Sequence, residues 1–401
     1  MIERSTGIPF VAAACWQGKW SVDVPQVEEP TLINPHDILL RITHTTICGS
    51  DLHLYDGVIP SMKRGDILGH EPVGEVVAVG PEVKKHRVGE RVVVSSAIGC
   101  GPCFYCRRQE YSLCDNSNPN GWMQEKVYNY PTAGLFGYSH LFGGYPGAQA
   151  EYLRVPFADV GTFEIPDDVT NEQAVAISDA FPTGFMGADL CGLEGGETVV
   201  VWGAGPVGLF VMKSAWLLGA GRVIAIDSVP HRLALAHEEC RAETLDFTEV
   251  EVSEALRELT GGRGPDCCVD ACGMESHGAN ALLDAYDTTK QALKLETDRG
   301  HVVRQMIEAC RKGGTIVIMG VYAMFVDKFP LGVAFHKGLH FHMGQMHGPK
   351  YIPRLFDYTR RGQVDPSFVF THRFGLDDIP QAYAIFKSRA DNCVKLLVNV
   401  A

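Results

Sequence analysis

Short apolar runs that end at glycine or a polar residue recur along the chain and predict where its strands lie. The segment 37–47 is strand-like. Residues 198–202 form a continuous apolar run, which is typical of a strand buried on both faces of a parallel sheet. Two later segments, PDCCVDACG and GTIVIMGVY, predict strands that alternate with helical stretches near 230–240 and 278–311. The alternation predicts an α/β fold with a doubly wound sheet, without internal repeats or low-complexity segments.

A glycine-rich loop follows the run at 198–202 and has the pattern G-x-G-x-x-G. Gly205 would let a pyrophosphate approach the backbone, and Gly208 would let the next helix pack closely. Asp227 ends the second strand, where it can bind ribose hydroxyls and repel a 2′-phosphate. The pattern therefore predicts NAD rather than NADP, although Arg232 would weaken that repulsion. The residues predicted to bind the cofactor here are Gly203, Gly205, Pro206, Val207, Gly208, Asp227 and Arg232.

Composition limits the classes of protein that the chain can be. Its 401 residues are enough for two domains, and its 46% hydrophobic and 21% charged content is that of a globular enzyme. No apolar run is long enough to span a membrane, and the first residues lack the pattern of an export signal. The net charge of −13, without a basic block, predicts no nucleic-acid partner. We therefore expect a cytoplasmic protein.

Four of the thirteen cysteines lie within fifteen residues. Cys100, Cys103, Cys106 and Cys114 have the spacing C-x2-C-x2-C-x7-C, with turn residues between the first two. Because a reducing compartment disfavours disulfides, we interpret this quartet as a ligand set. Four thiolates fill the tetrahedral shell of zinc and leave no open position, so we predict a structural zinc in a lobe at about 95–120. An iron–sulfur cluster is the alternative.

A second ligand set is indicated by Cys48, which lies at the end of a predicted strand beside Gly49, where a turn exposes a side chain, and by His70, which follows Gly69 at the start of the next predicted strand. The pattern Gly69-His70-Glu71-x2-Gly74-x5-Gly80-x2-Val83 resembles the signature of the zinc-containing alcohol dehydrogenases of the medium-chain dehydrogenase/reductase superfamily. The cysteine quartet downstream resembles the structural-zinc lobe of that family. The resemblance covers essentially the whole chain.

The resemblance implies a catalytic zinc held by Cys48, His70 and a third residue four positions before the pair Thr183-Gly184, which is Asp179. An aspartate there, in the segment SDAFPTG, resembles the glutathione-independent formaldehyde dehydrogenases and formaldehyde dismutases. Three ligands leave one position open for water or a substrate oxygen. The catalytic and further cofactor-binding residues that the resemblance implies are Ser50 and His53 as a proton relay, Glu71 behind the zinc, and Thr183 at the cofactor.

The implied architecture is a GroES-like, β-rich catalytic domain at 1–180, a Rossmann NAD-binding domain at 181–343, and a return to the catalytic domain at 344–401, with the active site in the cleft between the domains. The implied reaction is hydride transfer between NAD and a small alcohol or hydrated aldehyde, such as formaldehyde, in a homodimer or homotetramer.

Other readings stay open. A polyol or amino-alcohol dehydrogenase of the same superfamily is one alternative, and a non-catalytic zinc- and nucleotide-binding protein is another. The long segments 115–150 and 273–300 would be either surface lobes or covers over the cofactor.

Overall fold

A computed structural model describes residues 9–275, 297–298, 300–322 and 325–400. The chain divides into two compact units: unit 1 comprises Met1–Pro182 with Met346–Ala401, and unit 2 comprises Thr183–Gln345. Unit 1 is therefore discontinuous in the chain, and unit 2 is inserted into it.

The strands and helices have the following bounds. The strands are β1 (Phe10–Ala12), β2 (Cys15–Gly18), β3 (Ser21–Asp23), β4 (Gln26–Glu28), β5 (Ile38–Thr46), β6 (Val73–Val79), β7 (Arg91–Val94), β8 (Ala97–Ile98), β9 (Gly134–Leu135), β10 (Tyr152–Val155), β11 (Thr162–Glu164), β12 (Thr198–Trp202), β13 (Arg222–Asp227), β14 (Glu243–Asp246), β15 (Cys267–Asp270), β16 (Thr297–Asp298), β17 (Thr315–Ile318), β18 (Phe325–Val326), β19 (His340–Met343), β20 (Phe370–Gly375) and β21 (Lys395–Asn399). The α-helices are α1 (Gly49–Tyr55), α2 (Phe104–Arg107), α3 (Gly121–Tyr128), α4 (Ala158–Gly161), α5 (Asn171–Ser178), α6 (Ala180–Asp189), α7 (Pro206–Leu217), α8 (Pro230–Glu238), α9 (Val252–Leu259), α10 (His301–Ala309), α11 (Leu331–Lys337), α12 (Gly348–Arg360) and α13 (Ile379–Ser388).

Unit 1 is built on a seven-stranded, mostly antiparallel sheet in the order β11-β7-β6-β5-β21-β20, with β10 also paired to β5. Strand β5 is the long central strand, and its inward side chains Ile38, Leu40 and Ile42 are fully buried. They pack with Val76 and Val92 of the neighbouring strands in one hydrophobic core. Because β21 pairs with β5, the C-terminal segment completes this sheet.

Unit 2 is built on a six-stranded parallel sheet in the order β14-β13-β12-β15-β17-β19. When the six strands of this sheet are numbered along the chain, their order is 3-2-1-4-5-6, which is the doubly wound order of dinucleotide-binding folds. Its central strands β12 and β15 are buried on both faces, as the continuous apolar runs predicted. The GroES-like and Rossmann α/β fold class predicted from the sequence is therefore confirmed.

The helical stretch predicted near 278–311 is described only in part. Helix α10 forms its end, while 276–296 lie outside the described residues, as does most of the segment 273–300. Of the helices in the described ranges, none combines the length and the apolar character needed to cross a bilayer.

Candidate metal centre and nucleotide-binding loop

Cys48 lies in the short link between the central strand and the first helix of unit 1. Strand β5 ends at Thr46, and α1 begins at Gly49. The turn that the sequence predicts beside Gly49 is therefore the first turn of a helix. Cys48 is the N-cap residue, and its backbone N–H donates to Asp51 Oδ2 at 2.9 Å. This reciprocal cap fixes the backbone of Cys48 and holds its half-buried thiol in place.

Four potential ligands meet beside this helix. One donor atom each of Cys48, His70, Glu71 and Asp179 lies within 4.8 Å of all the others. His70 and Glu71 are both buried. The sequence predicts that His70 begins the next strand, but both residues precede β6, which begins at Val73. The structure therefore brings the three ligands predicted for an open metal site together from three separate segments, with Glu71 beside them.

The imidazole of His70 lies against a buried carboxylate. Its Nδ1 lies 3.2 Å from Asp51 Oδ1, while its Nε2 lies 3.9 Å from Asp179 Oδ2. Burial by itself lowers the pKa of His70, but Asp51 and Cys48 outweigh it and raise that pKa well above its usual value. These distances show that Nε2 faces the other ligands. Metal-binding histidines adopt this arrangement when a carboxylate holds the other ring nitrogen.

Asp179 lies where helix α5 ends, one residue before α6 begins. Its Oδ1 accepts a hydrogen bond of 2.6 Å from Ser96 Oγ. With that oxygen occupied, Oδ2 is the carboxylate oxygen nearest His70 Nε2. Ser96, at the end of the segment that follows β7, is a positioning partner that the sequence did not reveal.

Glu71 forms a fully buried ion pair with Lys395 of β21. Glu71 Oε1 lies 2.7 Å from Lys395 Nζ, and both side chains are at most 1% exposed. Burial opposes the charge of Lys395, but the Glu71 carboxylate raises its pKa and keeps it protonated. The second oxygen, Oε2, has no hydrogen-bond partner in the described part of the chain. Sequence reasoning did not identify Lys395.

The two predicted relay residues lie on helix α1. Ser50 Oγ is 3.4 Å from His70 Nε2, so the hydroxyl faces the ligand cluster. His53 follows one helical turn later and is 7% exposed, whereas the relay interpretation places an imidazole near solvent. The structure therefore brings Ser50 to the cluster and buries His53.

The donor set fits a divalent cation. A thiol, an imidazole and a carboxylate converge, and a second buried carboxylate beside them keeps one oxygen unpaired in the described chain. Lys395 pairs with Glu71, and a zinc ion would supply positive charge for the other acidic ligands, Cys48 and Asp179. Mixed sulfur, nitrogen and oxygen ligands are those that zinc accepts when it keeps an open position.

The four predicted cysteine ligands form a second cluster. The sulfurs of Cys100, Cys103, Cys106 and Cys114 all lie within 4.8 Å of one another, and all four side chains are buried. Backbone N–H groups point at them: that of Cys100 donates to Cys114 Sγ at 3.3 Å, and that of Cys106 donates to Cys103 Sγ at 3.4 Å. Such bonds stabilise thiolates, so the lobe fits a closed tetrahedral site.

The thiols of this lobe share their protons unequally. A hydrogen bond from Cys106 lowers the pKa of Cys114 to about 4, with help from Ser117 and from backbone amides. Burial raises the pKa of Cys100 to about 11, and the pKa of Cys106 is also raised, first by its bond to Cys114. The thiolate is the form in which a cysteine binds a metal ion, so a thiol held in this form is suited to a ligand set.

In unit 2 the glycine loop lies between β12 and α7. Gly203 has a φ of +97°, a conformation that glycine adopts without strain. Gly205 is the N-cap of α7 and Pro206 its first residue, with Val207 next. A Cβ on Gly208 would lie 1.8 Å from the carbonyl oxygen of Gly203, so only glycine lets the helix approach the loop this closely. The helix amides are thus presented as a phosphate site would require.

Asp227 ends β13 and reaches back to this loop. Its Oδ2 accepts a 2.7 Å hydrogen bond from the Ala204 N–H, and its Oδ1 accepts one from Ser228 N–H. Arg232 lies beside the loop: the distance from its guanidinium to the place that a Cβ on Gly205 would occupy is 3.8 Å. The structure therefore groups both residues with the loop. Thr183 lies apart from these contacts, half-buried in α6.

Comparison with known proteins gives consistent matches. The family of alcohol dehydrogenase GroES-like domains matches residues 34–167, and the family of zinc-binding dehydrogenases matches residues 206–292. An uncharacterised zinc-type alcohol dehydrogenase-like protein, AdhB of Bacillus subtilis, is 40% identical over 389 residues, or 96% of this chain and 99% of its own. A glutathione-independent formaldehyde dehydrogenase of Pseudomonas aeruginosa is 32% identical over 394 residues, covering 92% of this chain and 93% of its own. Among solved structures, the alcohol dehydrogenase TADH of Thermus sp. ATN1 matches with a TM-score of 0.81 and 33% identity over 97% of this chain and all of its own.

Proposed function

Since the chain belongs to the zinc-containing alcohol dehydrogenase family of the medium-chain dehydrogenase/reductase superfamily, we propose that it transfers hydride between a small alcohol or hydrated aldehyde and NAD. The family establishes an oxidoreductase of the alcohol dehydrogenase type; the zinc dependence, the cofactor and the substrate are our proposal. The observation that carries it is the convergence of Cys48, His70 and Asp179, with the hydroxyl of Ser50 3.4 Å from His70 Nε2.

In this proposal Cys48, His70 and Asp179 hold a catalytic zinc ion. When bound, such an ion acts as a Lewis acid towards a substrate oxygen. Asp51 keeps Nε2 of His70 available as a ligand, and Ser96 leaves Asp179 Oδ2 available. Glu71, neutralised by Lys395, places a second carboxylate behind the ligands. The four cysteines of the lobe hold a structural zinc and take no part in the reaction.

Ser50 would take the substrate proton. Its Oγ lies 3.4 Å from His70 Nε2, and a hydroxyl can accept a proton from the substrate while passing its own onward. His53, three residues later on α1, is the proposed next acceptor. Because its imidazole is buried, onward transfer requires a water molecule or a cofactor hydroxyl to reach it.

NAD would bind at the glycine loop of unit 2. The N-terminal amides of α7 would receive the pyrophosphate, and Asp227 would accept hydrogen bonds from the adenosine ribose. Asp227 already accepts backbone hydrogen bonds from Ser228 and Val229 at Oδ1 and from Ala204 at Oδ2, which fixes its position and leaves a lone pair on Oδ2. A 2′-phosphate beside this carboxylate would be repelled, so NAD should bind more tightly than NADP. Thr183 is proposed as a further cofactor contact.

Formaldehyde hydrate is the substrate that we propose to test first. The support is the carboxylate ligand Asp179 in the segment SDAFPTG and the 32% identity to a formaldehyde dehydrogenase. A panel of formaldehyde, short alcohols, a polyol and threonine, assayed with NAD and NADP, tests the proposal. A polyol or threonine oxidised orders of magnitude faster than the others would contradict the substrate class.

The metal is tested by a matched pair of cysteine variants. Cys48→Ala should abolish turnover and remove one of two zinc ions while NAD still binds, whereas Cys15→Ala should change neither. Cys15 is a suitable control because it is buried in unit 1, outside both clusters. Full turnover by the folded Cys48 variant would contradict the proposed chemistry.

Absorbance at the nicotinamide band after exhaustive dialysis tests whether NAD stays bound, as dismutation of two aldehydes on one NAD would need.

The remaining expectations are proposals of the same kind. We propose that the domain limits are 1–180, 181–343 and 344–401, that the protein is a homodimer or homotetramer, and that it works in the cytoplasm. Light scattering after size-exclusion chromatography tests the oligomeric state.

A further inference from the structure

A line of buried polar groups extends from His70 into the C-terminal part of unit 1. Gln149 Nε2 donates to the Thr46 carbonyl oxygen at 3.1 Å and to Asp51 Oδ2 at 3.4 Å. Gln149 Oε1 accepts a hydrogen bond of 3.0 Å from the hydroxyl of Tyr383 on α13. Asp51, Gln149 and Tyr383 are each fully buried. Polar groups buried this deeply hold their positions only through one another.

The backbone around Gln149 is held on both sides. Its N–H donates to the Leu68 carbonyl at 2.9 Å, and its carbonyl accepts from the Ala14 N–H at 2.7 Å. Gly69 makes room for the side chain, since a Cβ there would lie 2.6 Å from Gln149 Cγ. The amide therefore packs directly against the backbone residue that precedes His70.

The direction of the Gln149 amide follows from its neighbours. The Thr46 carbonyl and the Asp51 carboxylate can only accept hydrogen bonds, so the NH₂ group must face both of them. The oxygen then faces Tyr383, which donates its hydroxyl proton. A reversed amide would set its oxygen against Asp51 Oδ2 and leave the tyrosine proton opposite an NH₂ group.

This arrangement decides which oxygen of Asp51 serves His70. Oδ2 is occupied by the N–H groups of Cys48 and Gln149, so Oδ1 is the oxygen that remains for Nδ1 of His70, at 3.2 Å. A carboxylate held by fewer donors would rotate and release the imidazole. Such supporting partners commonly change metal affinity 10- to 100-fold when they are removed.

We propose that Gln149 and Tyr383 are positioning residues for the metal site: they hold Asp51 so that His70 presents Nε2 to the ion. This inference rests on the proposed function, because it requires that Cys48, His70 and Asp179 bind zinc. It assigns a role in the metal site to a residue of helix α13, which contributes no ligand.

Two variants and one control test the inference. Tyr383→Phe removes a single hydroxyl and keeps the ring, and Gln149→Leu removes both ends of the amide at similar volume. Tyr55→Phe is the matched control, because the Tyr55 ring stacks on Tyr383 with centroids 5.1 Å apart, yet no hydrogen bond joins its hydroxyl to Asp51, Gln149 or Tyr383 in the described structure.

The readouts are competition for zinc with a chelator of known affinity and the visible spectrum after cobalt substitution at the same site. Tyr383→Phe and Gln149→Leu should weaken binding at this site about 10-fold and alter the cobalt bands, while Tyr55→Phe and the zinc of the four-cysteine lobe stay unchanged. Circular dichroism checks that each variant is folded. If Gln149→Leu does not fold, Tyr383→Phe decides alone.

The outcomes separate the inference from the proposed function. Wild-type protein that binds only the lobe zinc would overturn the proposed function and, with it, this inference. Wild-type protein that binds two zinc ions, with folded Tyr383→Phe binding the second as tightly and with the same cobalt spectrum, would overturn the inference alone.

Discussion

The buried pair of Glu71 and Lys395 offers a quantitative test of how unit 1 is held together. We consider Lys395→Met, which removes the positive charge but keeps most of the side-chain volume, Glu71→Gln, and the double variant. The pair joins the segment before β6 to β21, two parts of the chain separated by 324 positions. Its loss should therefore loosen the strand that completes the sheet of unit 1.

The expected magnitude follows from the geometry. Opposite charges 2.7 Å apart attract by about 6 kcal/mol at an effective dielectric constant of about 20. Desolvation of both ions offsets most of this attraction, so the intact pair contributes little over a neutral one. Removing only the lysine leaves a carboxylate that is fully buried, and this should destabilise unit 1 by about 3–5 kcal/mol. The double variant should recover much of the loss, with a coupling energy of about 2–3 kcal/mol.

Hydrogen exchange measured by mass spectrometry suits this test, because it reports on each unit separately. Peptides that contain β6 and β21 should exchange faster in Lys395→Met, and those from β12 in unit 2 should not change. Additive effects of the two single substitutions would refute the reasoning, since independent residues have no coupling energy. Equal exchange in wild type and Lys395→Met would refute it as well.

Three further predictions address other parts of the chain. Gly208→Ala should destabilise unit 2 by about 1–3 kcal/mol and weaken NAD binding, because the new Cβ would lie 1.8 Å from the carbonyl oxygen of Gly203. Gly205→Ala introduces no such clash, so it should weaken NAD binding and leave the stability of unit 2 unchanged. Thermal melts and NAD titrations distinguish the two, and equal melting temperatures would contradict the steric argument. Burial lowers the pKa of His44, so the imidazole binds a proton less readily in the folded state than in the unfolded chain, and the stability that its neutral form provides is lost as the pH falls below 6.5. His44→Gln should therefore lose less stability than wild type between about pH 7.5 and about pH 5.5 in urea titrations. Parallel losses in the two proteins would show that His44 is not responsible. Cys106→Ser should lower the zinc content from about two ions per chain to about one and expose the lobe to protease; an unchanged zinc content would exclude the lobe as a zinc site.

The sequence predicts the strand, glycine loop and helix at 198–217 because the constraints on them are local. The positive φ of Gly203 and the contact of Gly208 with the Gly203 carbonyl arise within six residues, so a short pattern records them. The quartet of cysteines is equally compact. Both features can therefore be predicted from spacing alone.

The supporting residues of the open metal site are different, since no local pattern marks them. Lys395 meets Glu71, and Tyr383 meets Gln149, only because β21 and α13 return to unit 1 after unit 2 has intervened. Asp51 is the exception: it lies three residues after Cys48, where a helix N-terminus favours a carboxylate that reaches back to the cap. That spacing is a signal from which Asp51 could have been predicted.

The insertion of unit 2 within unit 1 has a consequence for biosynthesis. A ribosome makes Cys48, His70 and Asp179, then all of Thr183–Gln345, and only afterwards β21. At bacterial or eukaryotic elongation rates this interval lasts roughly ten seconds or more. During it the end of β5 that β21 later covers, His44–Thr46, is an open edge, and Glu71 has no lysine to neutralise it. The nucleotide-binding unit can thus mature first, while the nascent metal-binding half is the part of the polypeptide that would engage chaperones.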